Sequence, residues 1–408
     1  MDNKAPQSEA KKIPKLRFSE FTDDWEEKKL GDIGEIIGGG TPDTTKEDCW
    51  NGEINWFTPT EIKKKYVDNS LRKISKIGLK NSSARILPVG TLLFTSRATV
   101  GDVSISTMEC STNQGFQSLA VNEKNSNEFF YYWILLNKKQ FLTKANGSTF
   151  LEISGKEIRK ISSFFPTHPE QQKIAEFLRA TDEWIENLKK QKKFFETYKK
   201  GMMQKIFSQE IRFKDNNGNK FQNWEEMNLG DVCEYKNGGA FENNIVNNGK
   251  YNLINLNSID ITGKLKNKHK TVDNADWYLK KDDLVMVLSD VAHGDFLGLV
   301  DIIPENDKYV LNQRMGLLRK KDDRVDLNFL RAYINKQQHY FKLHGQGSSQ
   351  QNLSKGDILK FEIPVPHLSE QQKIAEFLTS IDKVIESKQQ QIVSAERWKK
   401  GLMQRMFV

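Results

Sequence analysis

One segment of this chain occurs twice, and that duplication constrains the fold more than any other feature of the sequence. The nine residues EQQKIAEFL occupy 170–178 and return at 370–378, an offset of 200 positions. The Trp-Glu-Glu of 25–27 likewise returns at 224–226. A nine-residue identity at a fixed offset indicates an internal duplication, so each half of the chain is expected to hold the same kinds of structural element.

The likeness between the two halves is uneven. Between 169–207 and 369–407, 20 of 39 positions are identical, and both segments close on a Lys-Lys-Gly sequence. Outside these segments, between 35–145 and 235–345, only fragments align. The matching segments are therefore expected to do the same job twice, and the divergent segments to do related but different jobs.

The repeated segments are predicted to be long helices. Residues 170–207 contain no proline, and their apolar side chains recur every three or four positions, as on one face of a helix. Pro166 and Pro366 lie just upstream, where proline can end an extended segment. Ser369, with Gln372 three residues later, resembles a capping box at the start of the second helix.

Two helices of equal length with like apolar stripes are expected to form an antiparallel coiled-coil pair within the chain, with pseudo-twofold symmetry. A seam between two copies of the chain is the alternative, but a partner helix is already available within the chain. The predicted fold class is mixed α/β domains alternating with long helices. The predicted segments are an N-terminal extension (1–15), domain 1 (16–167), helix 1 (168–208), domain 2 (209–367) and helix 2 (368–408).

The divergent domains show the short apolar runs and turn signals of mixed α/β folds. Helices are predicted at 127–144 and 326–343. The triple glycine Gly38-Gly39-Gly40 is not followed by the lysine of a phosphate-binding loop, so it is interpreted as a tight turn. Predicted strands lie at 53–58, 90–96, 102–106, 117–121, 251–256, 283–289 and 297–303.

Composition narrows the class of protein. The chain has 408 residues, of which 37% are hydrophobic and 28% charged, which fits folded domains and excludes a disordered chain. No apolar run is long enough to cross a bilayer, and the start lacks the apolar stretch of a signal peptide. Three scattered cysteines suggest reduced thiols in a cytoplasmic protein. A formal net charge of +8 suits a polyanionic partner such as nucleic acid.

Basic and polar loop residues of the two domains are the candidates for DNA contact. Lysine clusters can neutralise phosphates, whereas Arg, Gln and Ser side chains can read base edges. A solvated surface is the alternative for any one lysine cluster, and a side-chain turn is the alternative for the recurring Asn113-Gln114 and Asn312-Gln313. The candidates are Lys63, Lys64, Lys65, Arg72, Lys73, Arg97, Gln114 and Ser148 in domain 1, and Lys264, Lys266, Lys268, Lys270, Gln313, Arg314 and Ser348 in domain 2.

The sequence offers no catalytic residue and no metal ligand set. It lacks a phosphate-binding loop for ATP, a glycine-rich loop for S-adenosylmethionine and the Asn-Pro-Pro-Tyr type of motif found in amino-methyltransferases. The six histidines show no metal-ligand spacing, and His293-Gly294-Asp295 is interpreted as a turn. A binding protein is therefore predicted, with no metal or cofactor of its own.

The tandem arrangement resembles the specificity subunit of Type I restriction-modification systems. The resemblance depends on two variable domains, each followed by a helix that opens with EQQKIAEFL and closes with Lys-Lys-Gly and Met-Gln, and it covers about residues 16–407. It implies that each variable domain reads one half of a split, asymmetric double-stranded DNA site. It also implies that the helix pair sets the gap between half-sites and docks two copies of the modification (methyltransferase) subunit, with restriction/translocase subunits joining through them.

The resemblance further assigns S-adenosylmethionine, ATP and Mg to partner subunits rather than to this chain. Helix pairing and subunit docking are predicted for the repeated motif, although the purely apolar members also suit a simple helix-pair core. The residues are Gln171, Ile174, Phe177, Leu178 and Ile185 in the first copy, and Gln371, Ile374, Phe377, Leu378 and Ile385 in the second.

Two other classes of function compete with this prediction. A stand-alone nuclease or methyltransferase would act on DNA without partners, but the motifs for that chemistry are missing. A structural coiled-coil adaptor would not bind DNA, whereas a DNA reader must bind with a steep dependence on salt. A specificity subunit that serves methylation alone is a milder variant. The target sequence and the spacer length are not readable from the residues.

Overall fold

The computed structural model describes residues 13–147, 151–291, 295–347 and 350–408. The chain divides into two compact units. Unit 1 comprises residues 1–189 and 390–408, and unit 2 comprises residues 190–389. Each unit therefore contains one predicted domain together with part of each long helix. The predicted fold class, mixed α/β domains alternating with long helices, is confirmed.

Unit 1 places one long helix after a domain of short strands and helices. Its strands are β1 (Glu26–Lys29), β2 (Gly34–Gly38), β3 (Trp50–Phe57), β4 (Tyr66–Val67), β5 (Arg72–Ile74), β6 (Leu92–Phe94), β7 (Val103–Ser106), β8 (Cys110–Thr112), β9 (Gln117–Val121) and β10 (Ser162–Phe165). Its helices are α1 (Leu30–Ile33), α2 (Lys76–Lys80), α3 (Asn127–Leu136), α4 (Lys138–Lys144), α5 (Gly155–Lys160) and the start of the long helix α6 (His168–Phe207). Short 3-10 turns lie at Glu47–Cys49 and Pro59–Glu61.

Three sheets organise domain 1. A five-stranded sheet has the order β2-β9-β6-β7-β4, a three-stranded sheet has the order β5-β3-β8, and β1 pairs with β10. Because β1 opposes β10, with Glu26 beside Phe165, the beginning of the domain is held next to the segment that enters α6. Helix α3 buries Phe129, Phe130 and Trp133 in the core of this domain.

Unit 2 repeats this construction. Its strands are β11 (Glu225–Asn228), β12 (Cys233–Asn237), β13 (Ile245–Val246), β14 (Tyr251–Ile254), β15 (Lys270–Val272), β16 (Leu284–Val287), β17 (Ser289–Val291), β18 (Val300–Ile302), β19 (Tyr309–Leu311), β20 (Met315–Lys320), β21 (Gln350–Asn352) and β22 (Glu362–Val365). Its helices are α7 (Leu229–Val232), α8 (Leu327–Lys336), α9 (Gln338–His344), α10 (Lys355–Leu359) and the start of the long helix α11 (Leu368–Met406), with 3-10 turns at Glu242–Asn244 and Leu256–Ser258.

The sheets of domain 2 match those of domain 1 strand for strand over most of their length. The order β12-β20-β16-β18 corresponds to β2-β9-β6-β7, and β11 pairs with β22 as β1 pairs with β10. The parallel pair β14 and β19 corresponds to β3 and β8. Two domains with little sequence in common therefore share one topology, and the matching central strands β6 and β16 are buried along their whole length in both.

The two long helices pack antiparallel within each unit. In unit 1, Ile185 and Leu188 of α6 are buried against Ile392 and Ala395 of α11. Nearer its start, α6 packs Leu178 in the same cluster as Met406 near the end of α11. In unit 2, where the helices exchange roles, Lys199 of α6 is bonded to Asp382 of α11, and Ile206 is buried with Ile374. The predicted antiparallel pairing is confirmed within each unit.

Two details of the sequence prediction were wrong. The helices predicted at 127–144 and 326–343 are each broken once, at Asn137 and Gln337. The Asn137 side chain donates to the backbone oxygen of Trp133, 2.9 Å away, and so competes with continuation of the helix. Ser369 does not cap α11, because the helix already begins at Leu368. The backbone N–H of Ser369 instead donates to Nδ1 of His367, 3.3 Å away.

Candidate nucleic-acid interface

Three loop segments meet in domain 1 and bring candidate reading residues together. We call them loop cluster 1 (residues 96–98, 113–115 and 151–153). The backbone N–H of Ser96 donates to the oxygen of Gly115 at 2.8 Å, and the N–H of Ile153 donates to the oxygen of Ser96 at 2.9 Å. Arg97 and Gln114, which are separated along the sequence, therefore both lie exposed on this cluster.

Domain 2 has an equivalent arrangement, loop cluster 2 (residues 288–290, 312–314 and 351–353). The N–H of Leu288 donates to the oxygen of Arg314 at 3.0 Å, and the N–H of Leu353 donates to the oxygen of Leu288 at 2.9 Å. Gln313 and Arg314 are exposed here. The same backbone frame therefore presents a glutamine at the same place in both domains, whereas the exposed arginine comes from a different loop segment in each.

The recurring asparagines shape these loops. Asn113 Oδ1 accepts from the N–H of Gly115 at 2.9 Å, and Asn312 Oδ1 accepts from the N–H of Arg314 at 3.2 Å. Each asparagine thus forms the side-chain turn that the sequence left open as an alternative. The glutamine after each asparagine lies at the exposed tip.

A glycine packs against each of these turns. A Cβ on Gly39 would lie 1.9 Å from the backbone oxygen of Asn113, and a Cβ on Gly238 would lie 2.0 Å from that of Asn312. Any side chain at these positions would push the loop away. The triple glycine predicted as a tight turn therefore serves close backbone approach, and the second domain reproduces the contact.

The basic candidates of domain 1 fall in different surroundings. Lys63 and Lys64 are exposed, and Arg72 is exposed with its guanidinium 3.6 Å from the centre of the Trp50 ring. Lys73 is half-buried in β5. Lys65 is mostly buried, with Nζ 3.2 Å from Oε2 of Glu128, so its charge is engaged within the domain. Burial lowers the pKa of Lys65, and the Glu128 carboxylate opposes that change.

The basic candidates of domain 2 divide in the same way. Lys266, Lys268 and Lys270 are exposed, whereas Lys264 is half-buried and its ammonium pairs with Glu386 of α11. The DNA-contact role of all these residues stays a prediction. Ser148 and Ser348, together with His293 and Gly294, lie outside the described residues.

The glutamines of the repeated motif contact the domains rather than the partner helix. Gln171 Oε1 accepts from the N–H of Ser126 at 2.9 Å, and Gln371 Oε1 accepts from the N–H of Asp326 at 2.8 Å. Each Nε2 also donates to a proline oxygen just before its own helix. The hydrogen bonds of these buried amides are therefore used to hold the adjoining loops, and the role predicted for them in helix pairing or subunit docking stays a prediction.

The apolar members of the motif match their prediction more closely. Ile174, Leu178, Ile374 and Leu378 are buried in the cores where the long helices meet their domains. Ile185 is buried between the helices, but its counterpart Ile385 is half-buried and outside that cluster. Phe177 and Phe377 are half-buried and pack edge-on against Phe18 and Phe213, respectively, with ring centroids 5.8 Å apart in each pair.

The sequence prediction missed an anchor formed by the first residue of the motif. Glu170 is 1% exposed, and its carboxylate accepts two bonds of 2.7 Å from Arg17 and one of 3.3 Å from Nε1 of Trp25. Glu370 repeats this with Arg212, at 2.7 Å, and Trp224, at 3.2 Å. The signal was present, because Leu-Arg-Phe at 16–18 and Ile-Arg-Phe at 211–213 form a further repeat.

The described part of the chain offers neither a metal site nor a membrane span. In residues 13–147, 151–291, 295–347 and 350–408, no group of three His, Cys, Asp or Glu side chains could hold a metal ion. Over the same ranges, every helix is too short or too polar to cross a membrane. Cys110 and Cys233 are buried, and that burial raises the pKa of each thiol to about 12.

Comparison with known proteins decides the family. The sequence profile of the Type I restriction modification DNA specificity domain matches twice, over residues 22–194 and 222–397. The chain belongs to this family. Each match covers most of one domain and most of the long helix that follows it. As a Type I restriction-modification specificity subunit, the chain serves DNA sequence recognition.

Two relatives of the specificity subunit carry the same name and differ in how much of their length is matched. The MjaIX specificity subunit of Methanocaldococcus jannaschii is 34% identical over 240 residues, which covers 56% of this chain and 54% of that protein, so this match spans about half of the relative. The MjaVIII specificity subunit of the same organism is 26% identical over 400 residues and covers 93% of this chain and 91% of that protein.

Two solved structures share the fold of the specificity subunit. The S subunit of a Type I restriction-modification system from M. genitalium is 16% identical, covers 97% of this chain and 99% of that chain, and superposes with a TM-score of 0.58. A structure described as the basis of complex assembly and conformational transition of the Type I system is 14% identical, covers 94% and 97% of the two chains, and superposes with a TM-score of 0.60.

Proposed function

We propose that this specificity subunit reads a split, asymmetric DNA site, with loop cluster 1 on one half-site and loop cluster 2 on the other. The observation that carries the proposal is that one backbone frame presents a glutamine at the same place in both domains but an arginine from a different loop segment in each. Arg97 and Gln114 stand on the first frame, and Gln313 and Arg314 stand on the second. Arg and Gln side chains can each make paired hydrogen bonds to a purine edge in the major groove, so the different placement of the arginine favours unlike half-sites.

Exposed lysines provide the sequence-independent part of the binding. Lys63 and Lys64 in domain 1 and Lys266, Lys268 and Lys270 in domain 2 are exposed, and the chain carries a net charge of +8. Each lysine that meets a phosphate releases counterions, so binding should weaken steeply as salt rises. A coiled-coil adaptor that does not bind DNA would lack this dependence.

The partners follow from the duplicated helices. The subunit docks two copies of the modification subunit, one at each unit, and restriction/translocase subunits join through them. Support comes from the repetition of the motif in both units. S-adenosylmethionine, ATP and Mg belong to those partners, and this chain is non-catalytic. The complex works in the cytoplasm, as the three free, buried cysteines suggest.

The test is methylome sequencing of cells that express this chain with its cognate modification subunit, compared with cells that express the modification subunit alone. The expected result is one new motif made of two unlike half-sites around a fixed gap. Gln114→Ala should relax or change one half-site, and the matched Gln313→Ala should affect only the other, each with a loss of about 1–3 kcal/mol for its base pair.

Matched controls separate reading from general binding. Lys63→Ala should weaken binding to all sequences equally and should reduce the salt dependence by roughly one phosphate contact. If Gln114→Ala and Gln313→Ala both left the motif unchanged, the loop clusters would not be the readers. New methylation by the chain alone would contradict its non-catalytic role.

The helices are also proposed to set the spacer between half-sites. Deleting four residues from 190–193 removes about one turn of α6. The expected result is an altered gap in the methylated motif or a failure to assemble, with both domains still folded by circular dichroism. Methylation of the original motif at the original spacing would contradict this proposal.

A further inference from the structure

In unit 1, a buried tyrosine fills the space between α3 and the long helices. Tyr132 is fully buried, and its hydroxyl donates to Oδ2 of Asp182 on α6 at 2.6 Å. The other oxygen of Asp182 accepts from Lys399 of α11. Lys65 donates to the hydroxyl oxygen of Tyr132 from 3.0 Å. The Tyr132 phenol and the ammonium groups of Lys65 and Lys399 therefore fill the contact between domain 1 and the long helices, which we call the joint of unit 1.

The equivalent position in unit 2 holds a small residue. Helices α3 and α8 start at equivalent places. The backbone N–H of the residue before α3 donates to Gln171, and that of the residue before α8 donates to Gln371. Counting from those starts, Ala332 occupies the place of Tyr132. Asp382, the counterpart of Asp182, receives both of its hydrogen bonds from Lys199, at 2.7 and 2.8 Å.

The smaller residue leaves an open cavity of about 520 Å³ between α8, α6 and α11, all within unit 2. Its lining includes an apolar group, Met203, Ala332, Ala375 and Leu378, and the carboxylate of Asp382. A volume in this range accommodates a ligand much larger than a water molecule, with an apolar wall and a few polar groups to orient it.

The charge of the lining restricts what can enter. Five cations line the cavity, but Lys199, Lys264 and Arg331 are paired with Asp382, Glu386 and Asp301, so the excess of positive charge rests on Lys200 and Lys336. Lys200 and Lys336 are exposed. A ligand with an apolar ring flanked by acidic groups would match both the apolar part of the lining and the excess of positive charge.

We propose that this cavity binds the side chain of a tyrosine carried on an acidic segment of a partner protein. The ring packs on Ala332, Ala375 and Leu378, and the hydroxyl donates to Asp382 as Tyr132 donates to Asp182 in unit 1. Acidic residues beside that tyrosine meet Lys200 and Lys336. The inference goes beyond the proposed function, because this contact requires no DNA and is tested without it.

The experiment is a calorimetric titration of the full-length chain with N-acetyl-L-tyrosine, which carries the ring, the hydroxyl and one carboxylate. We expect one site per chain with a Kd of about 1 mM, as for a fragment of this size. N-acetyl-L-phenylalanine lacks the hydroxyl and should bind about fivefold more weakly, because Asp382 then gains no donor.

Variants locate the site. Ala332→Tyr fills the cavity from within and should abolish binding. Lys336→Glu, at an exposed position that does not endanger folding, should weaken binding about tenfold by reversing a charge at the site. Tyr132→Phe is the matched control, since it leaves the space in unit 1 filled and the cavity in unit 2 untouched, and it should bind as the unaltered chain does.

Three results would overturn the inference. One is the absence of saturable binding up to about 10 mM, a range in which a fragment with useful contacts is detected. Another is equal affinity for the tyrosine and phenylalanine probes, which would remove the role of Asp382. The third is binding that persists in both Ala332→Tyr and Lys336→Glu. None of these results bears on DNA recognition, which the methylome comparison measures separately.

Discussion

The joint between domain and long helix is built twice in this molecule, and its two copies agree in one part and differ in another. They agree at the start of each long helix. Glu170 with Arg17, and Glu370 with Arg212, make the same pairs of 2.7 Å bonds. Both carboxylates belong to the duplicated segment, so the feature that holds each domain in place has been retained.

The two copies differ about three turns farther along each long helix. Unit 1 fills the space with Tyr132, and unit 2 leaves it open beside Ala332. Asp182 and Asp382, with the lysines of the other long helix that bond to them, are common to both, but Tyr132 and Ala332 come from the divergent domains. The comparison teaches that the helices provide a constant surface and that each domain determines how much of that surface remains available.

The largest expected effect comes from breaking the shared anchor. Glu370→Ala leaves the guanidinium of Arg212 partly buried without its carboxylate, which should lower the free energy of unfolding of unit 2 by about 3 kcal/mol. Glu170→Ala should cost unit 1 a similar amount, because the geometry is the same. Urea denaturation, with hydrogen exchange to assign each transition to its unit, measures both.

The control for this pair is Glu376→Ala. Glu376 is exposed on the same helix as Glu370. Its removal should change stability by less than about 0.5 kcal/mol, as for an ordinary surface residue. If Glu370→Ala were as mild as Glu376→Ala, or if the two anchor variants differed by several kcal/mol, the anchors would not be equivalent.

A second prediction concerns the loop frames that both domains share. Gly238→Ala places a methyl group 2.0 Å from the oxygen of Asn312, and Gly39→Ala does the same at 1.9 Å from Asn113. Each should cost about 1–3 kcal/mol through displacement of the loop. Each should also abolish recognition of its own half-site alone, as read by methylome sequencing.

Gly401→Ala is the matched control for the loop glycines. A Cβ at Gly401 would meet no atom within 4 Å beyond its chain neighbours and the backbone of its own helix turn, and the residue lies inside α11. Replacement should therefore stabilise the helix by up to about 1 kcal/mol. An unchanged methylated motif in Gly238→Ala would show that loop cluster 2 tolerates the shift and does not read bases.

The long helices and their anchors show how far sequence reasoning reaches. Periodicity placed the long helices, since an apolar stripe at helical spacing over about 40 positions is typical of a long amphipathic helix. The same reasoning assigned Gln171 to helix pairing or subunit docking and missed the role of Glu170. The sequence does not indicate which neighbouring element a polar residue on a helix will contact. Glu170 is understood only when Arg17 and Trp25, about 150 positions earlier, are seen beside it.

The pairing of the loop segments could not be predicted from the sequence either. Arg97 and Gln114 were candidates as separate loops, and their convergence depends on hydrogen bonds from Ser96 to Gly115 and from Ile153 to Ser96. The duplication offered one further clue. An Asn-Gln pair that persists between otherwise divergent domains indicated a turn, and the structure shows that turn at both positions.

A third prediction tests the part of the joint that only unit 1 possesses. Tyr132→Phe removes the 2.6 Å bond to Asp182 and should lower the stability of unit 1 by about 1.5–3 kcal/mol, the usual range for a bond to a charged group. Burial raises the pKa of Tyr132, and Asp182 raises it further, so the phenol stays protonated and donating.

Tyr131→Phe provides the comparison within the same helix. Burial raises the pKa of Tyr131 to about 12, but its hydroxyl has no hydrogen-bond partner among the residues that the structure describes. Removing that hydroxyl should therefore change the free energy of unfolding by less than about 0.5 kcal/mol. Equal losses in the two variants would mean that the bond to Asp182 adds nothing to the joint.

The smallest expected effect distinguishes the units by pH. Burial lowers the pKa of His269 in unit 2, and a hydrogen bond with the backbone of Lys266 opposes that change only in part. The folded chain binds this proton less readily than the unfolded chain does. Above the unfolded pKa of about 6.5, His269 is neutral in both states and does not lower the free energy of unfolding. As the pH falls below about 6.5 toward the lower folded value, the unfolded state gains the proton first and unit 2 loses stability.

The loss should stay below about 1 kcal/mol, since the ring is only half-buried and water screens part of the cost. Urea denaturation at about pH 7.5 and about pH 5.5, on either side of the unfolded pKa, measures it. His269→Gln should remove this share of the difference by taking away the titrating group. Unit 1 contains a single histidine, His168 at the start of α6, so it serves as an internal reference. If His269→Gln kept the full pH difference of the unaltered chain, other groups would be responsible, and the two units would have to be distinguished by their packing at Tyr132 and Ala332 alone.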